Sequence, residues 1–119
     1  MLQINIIRGF LNRLRDRGWK NINLRGYTNN DIQILKRGDK SIVVIESITI
    51  DPSVDINPQA EEFFRNLIEL IEHGTAKEIF LPGVGDISIP AFFKDWCDKN
   101  DVKINILTLN NFQDFYNYN

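Results

Sequence analysis

The sequence predicts an α/β domain in which a mixed central β-sheet carries helices on both faces, with residues 1–119 forming a single unit. Three observations predict it. Apolar residues recur at helical spacing in three stretches, 2–18, 58–73 and 90–99, as amphipathic helices require. Five β-rich runs lie around them, at 19–27, 31–36, 41–50, 76–81 and 102–109. Their order combines a three-strand antiparallel meander with two helical crossovers between parallel strands, and the combination is a mixed sheet.

The first helix places Ile4, Ile7, Leu11 and Leu14 on one side with Phe10 beside them, and Gly18 suits its end. Leu2, Ile4 and Ile6 also alternate, so a short opening strand competes with the helix there. Residues 19–27 (WKNINLRGY) alternate at Ile22 and Leu24 before the turn-forming Thr28-Asn29-Asn30. Asn57-Pro58 is an N-cap followed by proline at the first helical position. The helix it opens runs to about His73 and buries Phe63, Phe64, Leu67, Ile68 and Ile71, with Glu61 and Glu62 near its positive end and Gly74 as its stop. Ala76–Leu81 is the next strand, closed by Pro82-Gly83. Ser88, Ile89 and Pro90 open a last helix through Lys99 with Phe92, Phe93 and Trp96 inward, and Val102–Leu109 alternates as the final strand. The tail either docks one turn through Phe112, Phe115 and Tyr116 or frays. Strands 41–50 and 76–81 are expected to be the most buried.

The chemistry centres on residues 31–50, DIQILKRGDKSIVVIESITI. Gly38-Asp39 between two β-rich runs is a two-residue hairpin signal, and with that pair as the loop, the numbers of paired residues sum to 77. Asp31 then faces Glu46, with Gln33 and Asn29 nearby. Directly opposed residues have Cβ atoms about 4.5–5.5 Å apart, and like charges so placed repel. A divalent cation between the two carboxylates removes that conflict. The plainer reading makes Glu46 a strand-end charge near solvent, although the unbroken Ile42–Ile45 run before it marks a strand covered on both faces.

Composition narrows the function classes. Cys97 is the only cysteine and His73 the only histidine, so an internal disulfide and a cysteine zinc cluster are excluded and nucleophilic triads lack a marked partner. No apolar stretch approaches the roughly 20 residues of a spanning helix, and the opening residues, with arginines among the apolar side chains, lack a signal-peptide pattern. A cytoplasmic location follows. The net charge of −2 hides an asymmetry: residues 1–40 carry +6 and residues 41–119 carry −8. Arg8, Arg13, Arg15, Arg17, Lys20 and Arg25 therefore form a candidate DNA or RNA contact, or simply a solvated helix face. Trp19 and Tyr27 among them could stack on bases, although the favoured reading packs Trp19 under the first helix. Gly83-Val84-Gly85 is a lone GxG, which a turn after a strand explains.

Element order and hairpin together resemble the PD-(D/E)XK phosphodiesterase superfamily, the restriction-endonuclease-like fold. That core is a helix, a three-strand meander, a crossover helix and a further strand, the order read here along residues 2–81. Asn30-Asp31 stands where the family has Pro-Asp, and Glu46-Ser47-Ile48 stands where it has Glu-x-Lys. Gln59 with Phe63 has the spacing of the Gln-x-x-x-Tyr found in some branches, without the hydroxyl. The resemblance implies catalytic roles for Asp31, Glu46 and Gln59, with Asp31 and Glu46 holding Mg²⁺ and Gln59 touching the water or the metal. Ile48 cannot replace the lysine that orients water or stabilises developing charge. Lys36 has the wrong strand parity to substitute, and Arg65 on the following helix is the other candidate. The expectation is a Mg²⁺-dependent endonuclease scaffold with an impaired site. The alternative is a non-enzymatic interaction module, an inhibitor or assembly subunit, with a homodimer or another protein as partner.

Overall fold

A computed structural model of the chain describes residues 2–24, 32–46, 58–82 and 89–108. Expectations for Met1, residues 25–31, 47–57 and 83–88 and the tail from 109 lie outside the described residues. The elements follow the expected order: α1 (Leu2–Asp16), β1 (Lys20–Ile22), β2 (Ile32–Arg37), β3 (Lys40–Ile45), α2 (Pro58–Gly74), β4 (Glu78–Pro82), α3 (Ala91–Lys99) and β5 (Lys103–Leu107). The sheet order is β1-β2-β3-β4-β5. The first two pairings are antiparallel and the last two parallel, so β2 alone runs against the rest. This is a small α/β domain with a mixed sheet.

Strand alternation divides the core between the two faces. On one face Ile7, Phe10, Leu11 and Leu14 of α1 meet Trp19, Leu35, Ile42, Val44, Phe80 and Leu107. On the other, Phe64, Leu67, Leu70 and Ile71 of α2 and Phe93 and Cys97 of α3 meet Ile34, Val43, Ile45, Ile79 and Leu81. Both crossovers step in the same direction across the sheet, and right-handed connections then put α2 and α3 on the same face. That leaves the other face to α1. Each fully buried Leu, Ile or Phe contributes about 1.5–3 kcal/mol through removal from water. Phe10 packs on Phe80 with ring centroids 4.8 Å apart, and Phe64 on Phe93 at 5.0 Å.

Several expectations are refined. The opening segment is helical, because Ile7, Phe10, Leu11 and Leu14 all bury at once on one helix face. Of the described part of the run 19–27, Lys20–Ile22 joins the sheet, and Trp19 turns into the core beneath α1. β3 stops at Ile45, and Glu46 begins a bend. Leu70 and Cys97 join the core, while Phe63, Ile68, Phe92 and Trp96 pack half-buried at its margin. Gly74 is the last helical residue of α2, and the left-handed position after it belongs to Thr75, with φ 52°. Gly74 answers a different need, because a methyl group there would overlap Cδ1 of Ile34.

Candidate functional site

The candidate site begins with the β2–β3 register. The six observed pairs run from Arg37↔Lys40 to Ile32↔Ile45, and every pair sums to 77. Gly38 takes the left-handed conformation at φ 61° and Asp39 does not, the pattern of a type II′ turn, whose twist matches that of the flanking strands. Glu46 directly follows the last pair. Asp31 would be its partner in the next one, but it lies outside the described residues.

Alternation along β3 puts Ile42 and Val44 on the face that α1 covers, and carried one residue past the strand's end it would put Glu46 there too. Glu46 is half-buried, and it makes no ion pair with a described residue. It also lies at the end of the sheet where β3, β4 and β5 terminate, and in open α/β sheets that carboxyl end is where ligands bind. The first turn of α2 starts at the same end and brings the backbone of Gln59 there. The side chain of Gln59 is outside what is described.

A polar cluster joins α1 to β1 and β2 on the face that α1 covers. Arg15, in the last turn of α1, donates from Nε to Oδ1 of Asn21 at 2.9 Å and from Nη2 to Oε1 of Gln33 at 2.8 Å. Asn21 Nδ2 donates to the same Gln33 oxygen at 2.6 Å. Gln33 lies opposite Val44, and diagonal neighbours across an antiparallel pair are about 7–8 Å apart. Carried one residue past the end of β3, that diagonal position is Glu46, so Gln33 stands between the Arg15 guanidinium and the end of β3. The strand parity of Gln33 was visible in the sequence; the reach of Arg15 was not, because it depends on how α1 lies across the sheet.

Other candidates are placed elsewhere. Lys36 shares a strand face with Ile34, which puts it across the sheet from Glu46, as its parity required. Arg65 is occupied on the surface of α2, where Nη2 pairs with Glu61 at 2.7 Å and the guanidinium lies 5.1 Å from the Phe92 ring centre. An exposed pair of this kind contributes little stability. Arg8, Arg13, Arg15 and Lys20 are exposed. Trp19 is buried and unavailable to stack on bases; Arg37 lies over it at 4.9 Å and donates to the carbonyl of Arg17 at 3.3 Å. Arg25, Tyr27 and residues 83–85 are outside the described residues.

Charge at the hairpin is lopsided. Lys20 faces Lys36 and Arg37 faces Lys40, so two like-charged pairs oppose each other across neighbouring strands. Burial and the neighbouring Asp98 carboxylate push the Cys97 thiol up to about 11, which makes it a poor nucleophile near neutral pH. Among the described residues no group of three or more His, Cys, Asp or Glu side chains could hold a metal ion. No described helix is long and apolar enough to cross a membrane. No family model, curated protein or solved structure matches the chain.

Proposed function

We propose that this chain is a restriction-endonuclease-like domain that contacts nucleic acid and carries an impaired two-carboxylate phosphodiesterase site. The observation that supports this reading is the β2–β3 register, whose six pairs all sum to 77; on the same count the next pair would be Asp31 with Glu46. Helix, antiparallel meander, crossover helix and parallel strand follow one another as in the family's core. The exposed arginines of α1 and the like-charged pairs of the hairpin add a reason for an anionic partner.

In this reading Asp31 and Glu46 would hold Mg²⁺, which when bound polarises a phosphoryl oxygen and lowers the pKa of water. The chain's own part is to fix two carboxylates on adjacent strands and to hold a phosphodiester against them. With Ile48 in place of the lysine, the developing charge lacks a donor from β3. Losing such a group costs orders of magnitude in rate, so slow cleavage or binding without cleavage is expected.

The test is incubation of the protein with DNA and RNA in Mg²⁺ or Mn²⁺, beside Asp31→Ala and Glu46→Ala. Cleavage abolished by both substitutions supports a working nuclease. Salt-sensitive binding without cleavage supports the impaired one. Indifference to both nucleic acids, with self-association instead, replaces this reading by an interaction module.

A further inference from the structure

We propose that Arg15 is a phosphodiester-binding residue of this site, held in place by Asn21 and Gln33, and that it provides on the face of Glu46 the positive charge missing at position 48. The inference rests on the reading above and names the side chain that meets the substrate's phosphate.

Three features of Arg15 carry it. A guanidinium has five N–H donors, and the two bonds to Asn21 and Gln33 use Nε and one hydrogen of Nη2. The remaining three donors sit on Nη1 and Nη2, at the end of the fork that can take a phosphate bidentately. Both acceptors are neutral amides, so the positive charge is oriented without being cancelled. Arg65 illustrates the opposite case, since its charge is spent on a carboxylate of its own helix.

The third feature is direction. An arginine in the last turn of a helix commonly serves that helix's carbonyls and dipole. Arg15 instead crosses to β1 and β2, bonding residues six and eighteen positions away. Asn21 also bonds Gln33, so the two amides brace each other as well as the guanidinium. Fixing the side chain beforehand reduces the entropy lost when a phosphate is bound. Gln33, which ties Arg15 to β2 beside the strand that ends at Glu46, is a positioning residue.

The experiment measures fluorescence anisotropy of labelled single-stranded DNA, duplex DNA and RNA of about 20 nucleotides, in EDTA so that nothing is hydrolysed, across a salt series. Arg15→Ala is expected to weaken binding about tenfold, as loss of a charge-assisted contact does, and to lower the log–log salt slope by about 1. Arg15→Lys recovers part of the affinity and all of the slope. Gln33→Leu weakens binding severalfold with the slope unchanged, because the charge stays and only its orientation is lost. Lys99→Ala, on α3 across the sheet, is the control for a general charge effect. The proposal is overturned if the parent binds and Arg15→Ala is no weaker than Lys99→Ala. If the parent binds none of the three probes, the nucleic-acid reading itself falls and takes this inference with it; that failure shows in the parent alone.

Discussion

The two ends of the sheet are built differently. At one end four short connections join α1 to β1, β2 to β3, α2 to β4 and α3 to β5, and each contains one left-handed residue: Gly18, Gly38, Thr75 and Asp101. Backbone bonds close three of these turns, including Trp19 N–H to Leu14 O, Ala76 N–H to Ile71 O and Val102 N–H to Cys97 O. At the other end β1 is separated from β2, β3 from α2 and β4 from α3 by nine, twelve and eight residues, and Glu46 stands there at the end of β3. Short turns that satisfy their own backbone spend those groups on closure rather than on a ligand. Long connections at the carboxyl end of parallel strands leave room for one. Stability is thus expected to concentrate at the turn end and chemistry at the other.

Substitution at the turn end offers the largest effect. Gly74→Ala forces a methyl group into Cδ1 of Ile34, which is fully buried among Val43, Leu67 and Ile71. Overpacking of this kind costs about 1–3 kcal/mol, to be read from the shift in a urea denaturation midpoint. An unchanged midpoint would mean that this end yields more readily than its turns suggest.

A smaller effect comes from Cys97, whose carbonyl anchors the α3–β5 turn. Its thiol pKa is raised to about 11 from 9.0. The unfolded chain therefore loses this proton first as pH rises, and the stability it contributes is complete below pH 9 and is lost toward pH 11. The difference in unfolding free energy between the parent and Cys97→Ala should be about 1 kcal/mol less favourable to the parent at pH 10 than at pH 8. A difference independent of pH would place the sulfur in contact with water.

The turn end was also the more legible in the sequence. Gly38-Asp39 specified the register of the whole β2–β3 pair, and all six pairs obey it, because a two-residue loop leaves strand pairing no freedom to slip. Gly18 lies where its conformation was needed, with φ 95°. Gly74 was legible as a constraint, though for a different reason: the sequence marks a helix stop, whereas the glycine admits Ile34 and Thr75 takes the left-handed turn. Leu70 was missed as core because burial on a helix depends on what packs opposite it. At the site end, parity alone placed Gln33 and Glu46 on one face. The contact of Arg15 with Gln33 spans eighteen residues and is set by the seating of α1 on the sheet, which no local pattern encodes.

The smallest expected effect on stability belongs to Glu46, and it separates the two ends most sharply. The carboxylate is half-buried and has no ion-pair partner among the described residues, so Glu46→Ala removes no salt bridge described in the fold. Substitutions away from buried networks usually fall within about 0.5 kcal/mol. The variant should therefore unfold at the parent's urea midpoint within that margin, while any metal-dependent cleavage by the parent is lost. A fall of about 2 kcal/mol or more would instead make Glu46 part of the scaffold. The carboxyl end would then be held together by the same side chain that the proposed function assigns to chemistry, and the division between a stable end and a reactive end would fail at that residue.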